Sequence, residues 1–430
     1  MTSSGVLFEQ ALMIAIQAAK EYVEVVFGEV VVVRDLKGRI RLVLEMGRDT
    51  SQALALAERL SASLGAYGYE PSEALFFQDE MASLAQLLEA KLPVLEAPGV
   101  FLLDRQIIGH DWTRKPLNRA SRNKRITFHG LKGGVGRSTA LASWSWHLAE
   151  LGLKILVFDL DLESPGLSST LLPEEQRPDY GIVDWFVEDG VSQGDLIFPE
   201  MVVRSPLAAH SRGQILVVPA YGSKTGDYLA KLARCYADFS ADGANSWAVR
   251  LNRLVEELEG KYAPDLVLFD SRAGLHDIAG VLITRMDAEC FLFAVDSRQT
   301  WEGYEALFSR WNVLPDLVQT IRGRLQMVAG LIPDTGIDIY LESFKENAWD
   351  LFRDNLYDEV EVEDLDPFSY DLKDEEAPHV PLRIFWHRGL MEFDPLTNEA
   401  NLRPVVESAY KTFFEKADGW LGQVVETSHA

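Results

Sequence analysis

The sequence predicts an α/β fold: a parallel β-sheet covered by helices on both faces, preceded by a smaller α+β domain. Three observations carry that prediction. From Ile126 onward, short apolar runs alternate with helical segments, and such runs read as strands buried on both faces. A glycine-rich run, Lys132-Gly133-Gly134-Val135-Gly136-Arg137-Ser138-Thr139, follows the first of them. Two later apolar runs end in aspartate, at Asp159-Leu160-Asp161 and at Asp270. Polar groups therefore collect at the carboxyl ends of strands, where sheets of this kind bind ligands.

Taken in order, residues 1–112 form the small α+β domain. Leu7 to Phe27 has apolar residues at helical spacing, and Val30 to Glu45 reads as a hairpin turning at Asp35-Leu36-Lys37-Gly38. A helix over Ser51–Leu64 stops at Gly65, Ala74–Phe77 reads as a strand, Met81–Lys91 as a helix and Val100–Leu103 as a last strand. Residues 113–125 form a basic linker, and residues 126–430 the larger domain. Its strands are expected at 126–129, 154–159, 214–219, 265–270, 289–295 and 326–332. Residues 358–376, rich in Asp and Glu but without regular ligand spacing, read as an exposed acidic insertion. A C-terminal helix over about 402–424 has the apolar stripe Val405, Val406, Ala409, Tyr410, Phe413, Ala417, Trp420 and Leu421. Its polar face is not rich in Lys and Arg, so it reads as a core helix and not a membrane-surface helix.

Composition narrows the function. No apolar stretch is long enough to span a bilayer, and the N-terminus lacks a basic-then-apolar leader. Cys235 and Cys290 lie far apart and read as buried small hydrophobes in a reducing, cytoplasmic setting. The formal net charge of −25 opposes binding to nucleic acid or anionic lipid. The exception is a basic patch of Arg114, Lys115, Arg119, Arg122, Lys124 and Arg125. That patch reads as a solvated linker, or as a docking site for an acidic partner, for nucleic acid, or for the chain's own acidic surface.

The glycine run points to nucleotide. Glycines let successive backbone N–H groups curl around phosphate oxygens, and the helix that follows adds its positive end. The usual loop is G-x-x-x-x-G-K-[ST]. Here a lysine, Lys132, stands at the start, and an arginine, Arg137, replaces the lysine before the hydroxyl residues. Gly133, Gly134, Val135, Gly136, Arg137, Ser138 and Thr139 are the expected phosphate contacts. Ser138 is placed to ligate Mg²⁺ and Thr139 to reach an inner phosphate. Asp270, closing Leu266-Val267-Leu268-Phe269, fits a Walker B aspartate, and the N–H of Gly274 is placed to face a terminal phosphate. Carboxylates at Asp159 and Asp161 can support Mg²⁺ or orient an attacking water.

Together these motifs resemble the ParA/MinD family of deviant P-loop ATPases, within the SIMIBI class. K-G-G-V-G-R-S-T resembles that family's K-G-G-x-G-K-[ST]-[ST], Asp159-Leu160-Asp161 its D-x-D, and Asp270 to Leu275 its D-[TS]-P-P-G-L. Gln214 to Ala220 resembles the internal strand that often ends in Pro-Ala-Gly. The resemblance covers residues 126 to about 335. It implies an ATP-dependent homodimer with nucleotide sandwiched between subunits, acting as a switch on a protein partner. Lys132 would reach the partner subunit's phosphates, Asp161 would orient the attacking water, Arg137 would clamp the phosphates, and Ser138, Asp159 and Asp270 would support Mg²⁺. Two departures matter. Arginine is planar and forked, so Arg137 is not a conservative replacement in a tight cradle; the alternative is a non-hydrolysing scaffold. Ser271-Arg272 replaces the family's small and proline residues, so Arg272 points at phosphate or pairs with an acid. DNA partitioning remains a further alternative, carried by the 114–125 patch alone.

Overall fold

A computed structural model describes residues 5–26, 28–45, 51–78, 91–106, 109–119, 123–237, 245–359 and 367–427. The chain divides into two compact units, Met1–His110 and Asp111–Ala430.

The first unit contains helix α1 (Phe8–Val26), strands β1 (Val30–Arg34) and β2 (Ile40–Leu44), helix α2 (Ser51–Leu64), and strands β3 (Leu75–Phe77), β4 (Leu92–Pro93) and β5 (Val100–Asp104). The sheet order is β3-β2-β1-β5-β4. Strands β1 and β2 form the expected antiparallel hairpin, with Val32 opposite Leu42. Its turn is held by Asp35 Oδ1, which accepts 2.8 Å hydrogen bonds from the backbone of Lys37 and Arg39. Gly38 takes φ +82°, a left-handed value that glycine adopts at little cost. Alternate strand residues Val30, Val32, Ile40, Leu42 and Val100 face Ala11, Ala15, Leu56 and Leu60 of the two helices. The helix expected over Met81–Lys91 falls largely outside the described residues.

The second unit is built on strands β6 (Lys124–Gly130), β7 (Lys154–Leu160), β8 (Val203–Arg204), β9 (Gln214–Val218), β10 (Leu266–Ser271), β11 (Glu289–Ala294), β12 (Leu325–Ile332) and β13 (Leu382–Phe385). They form one sheet in the order β13-β12-β11-β6-β10-β7-β9-β8. Every pairing is parallel except that of short β8 with β9. The principal helices are α3 (Arg137–Leu151), α4 (Ile182–Asp189), α5 (Trp247–Tyr262), α6 (Arg298–Asn312), α7 (Ile337–Asn355) and α8 (Glu399–Thr427). Strand side chains alternate between two cores. Ile155 and Val157 pack with α3 and α8, while Leu156 and Phe158 pack with α4 and α5. That double burial is why the strands read as unbroken apolar runs. The stripe of α8 packs as expected: Val406, Ala409, Tyr410, Phe413 and Ala417 are buried against the sheet. Among the described residues, no helix is long and apolar enough to cross a membrane.

The strand β6 starts at Lys124, ahead of the expected Ile126, because its charged end finds partners. Arg125 is 1% exposed. Its Nε and Nη2 each donate to Glu259 at 2.8 Å, and Nη1 donates to Asn252 at 2.9 Å. Lys124 Nζ donates to the carbonyl of Leu421 in α8. Nearby Arg119 pairs with Asp287 at 3.1 Å, and Lys115 with Asp316 at 2.8 Å. The described basic residues at 115, 119 and 125 are therefore spent on the chain's own acids, and Arg122 lies outside the described residues. In the acidic insertion, Asp358 pairs with Arg322, and residues 367–376 contain no helix or strand.

Removing one member of a buried ion pair leaves the other charge without a partner. Arg125→Leu is expected to lower stability by about 3–5 kcal/mol in denaturant unfolding. Adding Glu259→Leu should recover much of the loss. A single-variant loss below about 1 kcal/mol would show that this pair does not hold the strand end.

Candidate functional site

The site begins where β6 runs into α3. Gly134 and Gly136 take φ values of +74° and +84°, in the region that favours glycine. A Cβ on Gly133 or Gly134 would meet nothing within 4 Å, so the loop backbone is open on that side. Its inner side is packed tightly. Val135 is 4% exposed, and a Cβ on Gly330 of β12 would lie 2.4 Å from the Val135 carbonyl. Beside it, Leu331 has φ +55°, a strained value for a branched residue, where the pairing of β12 with β13 shifts register. The loop is thus wedged against a distorted strand, which the sequence did not signal. No side chain caps the N-terminus of α3, whose cap residue is Gly136. Its first N–H groups lack intrahelical partners and suit an anion. Ser138 and Thr139 are half-buried in that first turn.

Arg137 does not extend along the loop. It is 7% exposed and turns into the ends of β7 and β10. Its Nε donates to Asp270 Oδ1 at 2.8 Å, and Nη2 donates to Asp161 Oδ2 at 3.0 Å. Burial alone would disfavour its charge, but Asp270 and then Asp161 outweigh that and raise its pKa. Asp161 is lifted by burial, an effect that Arg137 offsets only in part; its Oδ1 is buried without a partner. Asp159 is fully buried. Its Oδ2 accepts from the Ser168 backbone at 2.9 Å and from the Ser168 hydroxyl at 2.6 Å, and its Oδ1 has no partner. Burial, reinforced by the charge of Asp270, pushes Asp159 up to about 7.

The remaining expected residues flank this core. Lys132 Nζ donates to Ser297 Oγ at 3.0 Å, just before α6; it makes no ion pair among the described residues. Gly274, at φ +86°, donates its N–H to the Gly130 carbonyl at 3.0 Å. Arg272 pairs with Glu163 at 2.5 Å, which resolves its two sequence readings in favour of an acid. Glu163 also takes a 2.6 Å hydrogen bond from Tyr236 and a 3.2 Å contact from His276. Burial works against that carboxylate, but hydrogen bonds from His276, Tyr236 and Arg272 hold it down at about 2. Behind Arg137, His129 is fully buried and kept neutral, its pKa lowered to about 3 by burial and then by the Arg137 charge. Glu163, Ser168, Ser297 and His129 were not singled out in the sequence. Only Glu163 left a trace there, through the alternation Asp159, Asp161, Glu163.

The donor set can be tested against Mg²⁺. Among the described residues, no cluster of three or more His, Cys, Asp or Glu is placed to hold a metal. A magnesium ion here would lean on one or two carboxylates, phosphate oxygens and water. Yet Asp270 Oδ1 and Asp161 Oδ2 are taken by Arg137, and Asp159 Oδ2 by Ser168. A guanidinium keeps its proton at any physiological pH. With Arg137 seated, Asp159 Oδ1 and Asp161 Oδ1 stay unpartnered, and a divalent ion drawing on them would share these acids with a fixed cation.

Residues 126–296 match the model of the CobQ/CobB/MinD/ParA nucleotide binding domain. No curated protein matches the sequence. Similar solved structures include cobyrinic acid a,c-diamide synthase from Mycobacterium smegmatis with bound ATP analog and magnesium. It is 18% identical with a TM-score of 0.35, over 50% of this chain and 77% of that one. The pNOB8 ParA bound to nonspecific DNA is 15% identical with a TM-score of 0.46, over 71% of this chain and 99% of that one. A ParA family ATPase from Chlorobium tepidum TLS is 15% identical with a TM-score of 0.43, over 70% of this chain and 98% of that one.

The raised pKa of Asp159 has a measurable sign. Between 3.8 and about 7 the native carboxyl keeps a proton that the unfolded chain has lost, so its contribution to stability falls as pH rises through that window. Asp159→Asn removes this titration. The variant should gain more than about 1 kcal/mol relative to wild type between about pH 5 and about pH 8 in denaturant unfolding. A pH-independent difference would show that Asp159 is ionised throughout.

Proposed function

From the match of residues 126–296 to the CobQ/CobB/MinD/ParA nucleotide binding domain, we propose that the chain is an ATP-dependent association switch acting on a protein partner. ATP would bind across the loop Gly133–Thr139, with phosphate oxygens on the open backbone N–H groups and on Ser138 and Thr139. The observation that carries this reading is the state of the three cations around the loop. Arg137 is neutralised by Asp161 and Asp270, and Arg272 by Glu163, whereas Lys132 is held only by a hydroxyl. Lys132 is the charge left to meet phosphate, its own or that of a second copy. Leu275, 52% exposed beside Gly274, adds apolar surface next to the site for such a copy. The reading places the chain in the cytoplasm, in keeping with two buried, unpaired thiols.

Occupancy, more than turnover, is the signal in this reading. Asp161, the group that would orient an attacking water, is engaged by Arg137. That contact also supports the second reading, a scaffold that binds nucleotide without hydrolysing it. DNA partitioning is less well supported, because the net charge is −25 and Lys115, Arg119 and Arg125 are paired within the chain.

Light scattering tests the switch. A non-hydrolysable ATP analogue should raise the mass of wild type to that of a dimer, and Lys132→Ala should stay at its nucleotide-free mass. Identical masses with and without the analogue would remove the switch. Hydrolysis separates the two readings. Wild type should turn over at or below about 1 per second, the low end for enzymes. Arg137→Lys replaces a fork by a point charge that cannot bridge both acids in the same way. It should release Asp161 and raise the rate. A fall would mean the pocket is shaped around arginine, and no turnover in either protein would leave the scaffold.

A further inference from the structure

Resting on the nucleotide reading above, we propose that the guanidinium of Arg137 stands in for the divalent ion, so that this site binds the polyphosphate of a nucleotide without requiring a metal. Three observations support it. The first is position. Arg137 is the first residue of α3, directly after the glycine loop, and it bridges the carboxylates that close β7 and β10. A metal in such a site links strand-end carboxylates to phosphate oxygens, and the guanidinium already makes the protein half of that link.

The second is donor capacity. A guanidinium has five N–H donors in a rigid fork. Two are used, one on Asp270 and one on Asp161, and five less two leaves three. Nη1 has no hydrogen-bond partner among the described residues. Arg137 can therefore keep both acids and still donate to phosphate, whereas a lysine in its place would have to divide three donors on one atom among all of them. Phosphate would meet an arginine already fixed in place, with little side-chain entropy left to lose.

The third is charge. Asp159, Asp161 and Asp270 lie close enough to act on one another, and a fixed positive charge sits among them. A divalent ion drawing on Asp159 Oδ1 and Asp161 Oδ1, the oxygens left without partners, would lie within a few ångströms of that charge in a largely water-excluded place, where repulsion is strong. The phosphates are met instead by the spare N–H donors of Arg137, by Lys132 and by the N–H groups of the loop.

Calorimetric titration of the full-length chain with ATP, once with magnesium and once with EDTA at matched ionic strength, tests this. Wild type should bind in both, with dissociation constants within about threefold. Arg137→Lys should bind at least about tenfold more tightly with magnesium than with EDTA. Thermal unfolding of both proteins confirms that the variant is folded. Should it fail to fold, the wild-type titrations with magnesium and with EDTA decide alone. A wild-type affinity that falls tenfold or more in EDTA overturns the metal-free site and leaves the nucleotide reading standing. Absence of ATP binding in both conditions overturns the nucleotide reading, and this inference with it.

Discussion

The contact of Arg137 with Asp161 and Asp270 is the constraint on which the rest of the site depends. It ties the start of α3 to the ends of two neighbouring strands, β7 and β10, through bonds of 3.0 and 2.8 Å. Carboxylates this deeply buried would repel one another and be driven to protonate if left alone. The guanidinium lets Asp161 and Asp270 remain close together, and its own charge is sustained by them in return. Asp159, which lacks that partner, shows the cost: it relies on Ser168 alone and is pushed up to about 7.

A second arginine plays a matching part at the start of β6, the strand that runs into the loop. Arg125 enters the sheet at the start of β6 and pairs with Glu259 of α5. The strand that leads into the glycine loop is thus anchored by an ion pair at its start, and the helix that leaves the loop by another. Between them, the two apolar cores hold the sheet. Buried pairs of this kind add little net stability over apolar packing, but they penalise any arrangement that separates them. Here they place the loop, and with it the chemistry.

The charges around the loop also constrain function. This acidic chain spends most of its described cations near the site on its own carboxylates, down to Arg272 on Glu163. What remains for a ligand is a set of backbone N–H groups, one lysine and the unused face of an arginine. That set suits a polyphosphate presented end-on to a helix. It is poorly suited to the many spread phosphate contacts that hold a nucleic acid.

What depends on neighbours along the chain could be read from the residues in order. The alternation of apolar runs and helices is local, so the strands at 154–160 and 266–271 were legible within a residue or so. The apolar stripe of α8 and the turn at Asp35–Gly38 were legible for the same reason. The glycine loop was legible because the need for left-handed backbone writes itself as glycine at Gly134 and Gly136. Short β8 and β13 were not, since strands of so few residues carry too little periodicity to stand out. The order of the strands and the partners of the charged side chains at the site came from the tertiary structure. Arg137 reads as a phosphate ligand when only its motif is visible. Its actual partners lie 24 and 133 residues away, and Lys132 finds Ser297 165 residues away. Electrostatic pairing depends on distance in space, and a parallel sheet brings together strand ends that the sequence keeps far apart.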